Sequence, residues 1–198
     1  AYSLNIFFEI FIILFFIFCG TALINFVNFM DGIDCLIGSC FFVLFLTLSN
    51  IQTLETLILA GTLLGFLPYN YSPAKLFMGD VGSTFIASYT ISILFNNQSI
   101  YNSFFILLII MPLILDAITC ILIRIKLKHN IFTAHKYHLY QRIVMYGLSH
   151  IKVTSLYLFP IIINCFIYKF FSLNILYLSN ILWLFMGLYL NKKYAVPY

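Results

Sequence analysis

The chain has 198 residues, of which 63% are hydrophobic and 8% charged, with ten Lys and Arg against six Asp and Glu. A soluble domain carries about 25% charged residues, so a mean hydropathy of +1.06 excludes that class, and the apolar runs are too many and too long for a signal peptide. Because the runs are continuously apolar rather than alternating, a membrane β-barrel is excluded too; the expected fold class is all-α, a polytopic transmembrane helical bundle forming one integral membrane domain over residues 1–198.

At ~20 residues per spanning helix, the apolar segments predict helices near 6–26, 37–50, 52–67, 84–96, 102–123, 153–171 and 173–191. Two of them, 37–50 and 84–96, are short and are expected to tilt, to extend into flanking residues or to lie partly inside the protein. The connections around Ser49, Asn97 and Ser172 are short and uncharged. Those over 28–36, 68–83, 124–152 and 191–198 are longer and hold the charge. Seven crossings place Lys75, Arg124, Lys126, Lys128, Lys136, Arg142, Lys152, Lys192 and Lys193 on one face and leave Lys169 alone on the other. Basic residues accumulate on the cytoplasmic side, so that face is expected to be cytoplasmic. The same parity returns every acidic island to it. The five cysteines lie in apolar surroundings with no CxxC pair and are read as small buried hydrophobes.

The first island follows the first long apolar segment. Asn25, Asn28, Asp31 and Asp34 recur every three residues, a spacing that shares one helical face, and Gly32 permits close approach by a ligand or another backbone. A polar stripe joining helices accounts for the asparagines but not for two aspartates without nearby cations. In the second island, Leu67 to Ser83, two prolines and two glycines shape a loop that then starts a helix. Asp80 and Ser83 sit at that helix start, where free N–H groups and the dipole favour phosphate; simple N-capping is the plainer alternative. With Lys75 close by in sequence, a carboxylate and an anionic ligand suit Mg²⁺. The third island holds Asp116 and then a basic stretch. Arg124, Lys126 and Lys128 are read as topology or headgroup residues, and His129 and His150 as interfacial. His135 and His138, spaced for one helical face together with Arg142, form a candidate diphosphate-binding cluster. This segment offers too few nitrogen and sulfur ligands for zinc.

The order N-x-x-N-x-x-D-G-x-D, then G-F-L-P-Y-N-x-x-P-A-K-x-F-M-G-D-x-G-S, then D and a basic loop with H-x-x-H-x-Y-Q resembles the polyprenyl-phosphate N-acetylhexosamine-1-phosphate transferases. That family includes the phospho-MurNAc-pentapeptide translocase and the WecA-like enzymes that initiate surface polysaccharides. The resemblance covers nearly the whole chain. It implies transfer of a sugar 1-phosphate from a UDP-N-acetyl sugar to undecaprenyl phosphate, with Mg²⁺ (Mn²⁺ able to substitute) and release of UMP, on the cytoplasmic face of a bacterial inner membrane. Membrane lipids and a homodimer are compatible partners; nucleic acid is not expected.

Carried over by position, Asp80 matches the metal ligand, while Asp31 and Asn28 match the polar wall near the nucleotide-sugar. Asp34, Asn70 and Phe77 match the uridine pocket, with Phe77 as the stacking ring. His135 and His138 match the family's histidine motif, and Lys75 and Arg142 are expected to bind substrate. Asp31, Asp34, His135 and His138 are the expected catalytic residues. Two departures stand out. The family's adjacent Asp-Asp pair upstream of the Asn-rich motif is absent, and the chain begins with Ala, so it is expected to be the carboxy-terminal portion of a longer transferase. The histidine motif reads His-Lys-Tyr-His-Leu-Tyr-Gln, which is closer to the branch that starts lipopolysaccharide chains than to the peptidoglycan translocase. The alternatives are an inactive fragment or assembly subunit and, from a different class, a small transporter, which would place its acid at mid-span.

Overall fold

The structure, a computed structural model, describes residues 2–49, 54–97, 99–130 and 136–197, with side chains from Ile6 onward. Among these residues there are nine helices and no strand: α1 (Tyr2–Met30), α2 (Leu36–Leu48), α3 (Leu54–Asn70), α4 (Gly79–Asn96), α5 (Ile100–Ile109), α6 (Met111–Lys126), α7 (Leu139–Met145), α8 (His150–Phe170) and α9 (Leu173–Tyr194). The all-α bundle read from the apolar runs is therefore what forms. Over its described residues each of the seven apolar segments is largely helical, and one of them, 102–123, is two helices.

Among the described residues, length and composition single out fewer spans than seven. Ile6–Met30, His150–Phe170 and Leu173–Tyr194 are long and apolar enough to span a membrane, and α5 with α6 adds a fourth span if their 72° bend is a broken crossing. Helix α2, with 13 residues, is about 20 Å long against the ~30 Å of a hydrocarbon core. It is instead the buried centre of the bundle: Leu36, Ile37, Cys40, Phe41, Leu44, Phe45 and Leu48 have no exposed surface. It packs chiefly on α3 and α8. The outer side chains of α1, among them Phe7, Phe11 and Phe18, are exposed, as a lipid-facing helix requires.

The alternation of direction survives this correction. Helices α1, α3 and α9 end, and α2, α4 and α8 begin, at one end of the bundle. The contacts that fix this run from Asn28 to Ser83, from Cys35 to Asn70, from Asp34 to His150 and from Arg142 to Asn191. Lys169, in the last turn of α8, lies at the opposite end.

Local chemistry sets the turns at the acidic end. Helix α1 stops at Met30, and Cys35 then takes a left-handed conformation (φ 65°) before α2 starts. Asn70, the last residue of α3, ties that turn down: its Oδ1 accepts from the Cys35 N–H at 2.8 Å and its Nδ2 donates to the Leu76 carbonyl at 2.8 Å. The loop after α3 also folds back on itself, with the Lys75 and Leu76 N–H groups donating to the Tyr69 carbonyl at 2.8 and 3.0 Å. Gly79, at φ 65°, supplies the left-handed step into α4 that a side chain would resist.

Candidate active site

The four-residue stripe expected from Asn25, Asn28, Asp31 and Asp34 does not form, because the helix ends before its third member. Asn25 is exposed and donates to the Thr21 carbonyl of its own helix. Asn28 faces α4, where its Oδ1 accepts from Ser83 Oγ at 2.6 Å. Asp31 and Asp34 lie in the turn beyond and diverge. Asp34 is buried and faces α8: its Oδ2 is 3.1 Å from His150 Nδ1, and its carbonyl accepts from Thr154 Oγ1 at 2.8 Å. His150 is thus the partner of a site carboxylate rather than an interfacial residue. Beside it, burial pushes the Cys35 thiol up, with the Asp34 charge adding, so the thiol is a neutral donor to the Asn70 carbonyl at 3.3 Å.

Asp31 is half-buried and looks the other way. Its carboxyl is pushed up to about 7, first by burial and then by the charge of Asp80. Asp80 is exposed, in the first turn of α4, where a carboxylate is favoured by the helix dipole. It does not cap the helix; Met78 occupies that position and no side chain caps it. Ser83 is fully buried and bonded to Asn28, so neither residue is the simple N-cap. The first and second islands therefore meet where the Asp80 charge opposes the ionisation of Asp31, beside the Asn28–Ser83 bond.

Phe77 is 72% exposed and borders a hollow of about 330 Å³ with Phe45, Leu59, Phe66, Met78 and Phe85. Asn70 links it to the Asp34 turn, since one amide holds both the Cys35 N–H and the Leu76 carbonyl. Asn70 thus has its amide committed within the protein. Lys75 is exposed on the same loop.

The histidine segment departs furthest from expectation. His135 lies outside the described residues. His138 is not helical: it precedes α7 with φ −59° and ψ 144°, so the helical face shared with Arg142 does not exist. Arg142 is buried, and it donates from Nε to the Val196 carbonyl at 2.6 Å and from Nη1 to Asn191 Oδ1 at 2.8 Å. Its guanidinium is spent on the end of α9 rather than offered to a diphosphate. Arg124 likewise turns inward, donating to the Asn130 carbonyl, and does not reach headgroups. Asp116 is the organiser here. Its Oδ1 accepts from the Leu139 N–H at 2.8 Å, its Oδ2 from the Tyr140 N–H at 3.2 Å and the Tyr157 hydroxyl at 2.6 Å, and His138 Nδ1 stands 3.6 Å from Oδ1.

Among the described residues no group of three or more His, Cys, Asp or Glu could enclose a metal ion. A two-carboxylate donor set fits Mg²⁺ nonetheless, because that ion takes one or two carboxylates and completes its octahedron with phosphate oxygens and water. It does not fit zinc, which needs a closed set of nitrogen and sulfur ligands.

Residues 2–97 match the family model described as Glycosyl transferase family 4, and the chain belongs to that family. It is 35% identical over 156 residues to a Bacillus subtilis (strain 168) protein named "Probable undecaprenyl-phosphate N-acetylglucosaminyl 1-phosphate transferase", covering 71% of this chain and 43% of that protein. A "Decaprenyl-phosphate N-acetylglucosaminephosphotransferase" of Mycobacterium leprae (strain TN) is 29% identical over 166 residues, covering 68% of this chain and 42% of that one. A "Phospho-N-acetylmuramoyl-pentapeptide-transferase" of Limosilactobacillus fermentum is 44% identical over 78 residues, covering 35% and 24%. The chain spans less than half the length of these relatives. The family match takes in α1 to α4, hence both carboxylate islands but neither Asp116 nor the histidine segment.

Proposed function

We propose that the chain is part of a membrane-embedded phosphotransferase that moves an N-acetylhexosamine 1-phosphate from a UDP-sugar to undecaprenyl phosphate. The product is a lipid-linked sugar diphosphate that starts lipopolysaccharide or another envelope glycan, and UMP leaves. The observation that carries this reading is the meeting of Asp31 with Asp80 at the start of α4 in a family-4 chain. A transporter would need its carboxylates at mid-span; here they sit where helices end.

Asp80, with Asp31 beside it, would hold Mg²⁺ or Mn²⁺. The ion supplies charge neutralisation at a diphosphate and a template for in-line displacement. The chain's own groups do the rest. The free N–H groups of the first turn of α4 face the anionic end of the donor. Asn28 and Ser83 lock α1 to α4, so the two carboxylates keep their separation. On the nucleotide side the exposed ring of Phe77 offers a stacking face, on a loop that Asn70 ties to the turn of Asp34. The acceptor's phosphate oxygen attacks the sugar-linked phosphorus. The bond from that phosphorus to the bridging oxygen breaks, and the bridging oxygen leaves on UMP. The site belongs on the cytoplasmic face of the bacterial inner membrane, where UDP-sugars are available and where the basic residues direct it.

Asp80→Asn in the full-length protein tests this. Transfer of radiolabel from UDP-GlcNAc into undecaprenyl phosphate should fall by roughly 10³-fold, as expected for loss of a charge-stabilising group, and the remainder should lose its dependence on Mg²⁺. Normal transfer by that variant sinks the assignment.

A further inference from the structure

We propose that Tyr140 is a positioning residue for the Asp31–Asp80 pair, held in place by Asp116. Asp116 accepts from the N–H groups of Leu139 and Tyr140, the first two of α7, so a buried carboxylate fixes that short helix where its dipole is positive. Tyr140 is fully buried. Its hydroxyl donates to the Phe29 carbonyl at 2.9 Å, in the last turn of α1, where carbonyls have lost their helical partners. The same hydroxyl fills the space that a Cβ at residue 32 would take, with the ring's Cζ and Cε2 only 3.0 and 3.2 Å from that point. Gly32 is therefore needed for the tyrosine, and the tyrosine touches the chain on both sides of Met30 and Asp31. Asp31 is pinned further by its own N–H, which donates to the Asn28 carbonyl at 3.1 Å. Burial pushes the Tyr140 phenol well above its usual value, with Asp116 and Asp31 adding, so it stays a donor.

The inference rests on the proposed transfer reaction and predicts which half of it the tyrosine serves. The nucleotide side is held separately, by His150 and Thr154 on Asp34 and by Asn70 on Cys35. Loss of the Tyr140 hydroxyl should loosen the carboxylate pair and leave the nucleotide side in place.

The test uses the full-length protein in nanodiscs. Tyr140→Phe should lower kcat for transfer from UDP-GlcNAc by roughly tenfold, within the range that small misplacements cost. It should raise the Mg²⁺ concentration for half-maximal rate several-fold and keep KM for UDP-GlcNAc within about twofold. Gly32→Ala should do the same in the wild-type background and cost less in Tyr140→Phe, where the colliding oxygen is gone. Two readouts stand apart from turnover: amide hydrogen exchange at residues 29–33 should quicken in Tyr140→Phe while residues 36–40 keep their protection, and Mn²⁺ binding followed by electron paramagnetic resonance should weaken. Unchanged exchange with unchanged Mn²⁺ binding overturns the proposal, and so does a matched loss of nucleotide affinity and thermal stability, which marks general damage. If the wild type transfers nothing to lipid, the reaction is refuted, while exchange and Mn²⁺ binding still decide the role of the tyrosine.

Discussion

Asp31 is a carboxyl group whose surroundings oppose its charge, and that has a measurable consequence for folding. Its value rises from 3.8 to about 7 through burial and Asp80. Between those two values the folded protein holds a proton that the unfolded chain has released. Folding takes up a proton in this window, so the contribution to stability is present in full at its acid end and is lost as pH rises through about 7. Asp31→Asn removes the penalty. Its thermal midpoint should match the wild type below about pH 4 and exceed it by a growing margin as pH rises to about 8, and Mg²⁺ should narrow the gap at pH 8 by stabilising the wild type more than the variant. Melting curves of the two proteins that stay parallel across this range would contradict the account. At this scale the sequence was readable in part. Acid at helix breaks in an oily chain pointed to Asp31, Asp34 and Asp80, and Gly32 pointed to a close approach. The approaching groups were hidden, because Tyr140 and His150 come from more than a hundred residues away and no local spacing announces them.

The bend between α5 and α6 shows how an element can be broken inside the apolar bundle. Pro112 near the start of α6 has no N–H, and the 72° bend takes the carbonyls of Leu108 and Ile109 out of the regular helical ladder, with the Ile110 N–H turning to Leu108. Irregular backbone at such depth survives only where protein groups satisfy it. Asn164 Nδ2 donates to both carbonyls at 3.1 and 3.3 Å, and Asn180 Nδ2 donates to Leu108 at 3.1 Å. Ser179 Oγ in turn donates to Asn164 Oδ1 at 2.8 Å. Asn164→Leu should therefore cost about 1–3 kcal/mol, the penalty of a buried acceptor left unmade, read as a lower midpoint in thermal unfolding; a variant as stable as the wild type would disprove the link. The apolar runs revealed where helices lie because membrane helices need only continuous hydrophobicity. They did not reveal this break, since the run from 102 to 123 stays apolar across it, although Pro112 was the visible sign. The start of α7 was misplaced for the opposite reason: the spacing of His138 and Arg142 suggested one helical face, but the helix begins only at Leu139. Seven residues in a charged loop carry no periodicity, and the helix is fixed by Asp116 from another element.

For the molecule as a whole, the asymmetry of charge and the convergence of helix ends make one statement about orientation. Nine of the ten Lys and Arg residues lie on the connections and helix ends that gather at the acidic turns, and Lys169 stands alone at the far end of α8. Each basic residue resists translocation, so their sum orients the bundle, and the direction of α1, α3 and α9 against α2, α4 and α8 carries the site with it. The short buried α2 does not disturb this, because its reversal between α1 and α3 depends on its two ends and not on its length. Lys136 and Lys169 are both exposed and serve as reporters. In a full-length protein with its native cysteines replaced, Lys169→Cys should react with a membrane-impermeant maleimide in intact spheroplasts. Lys136→Cys, close in sequence to His138, should react only after permeabilisation. Labelling of position 136 in intact spheroplasts would place the carboxylate pair on the side where no UDP-sugar is supplied, and the proposed reaction could not take place there.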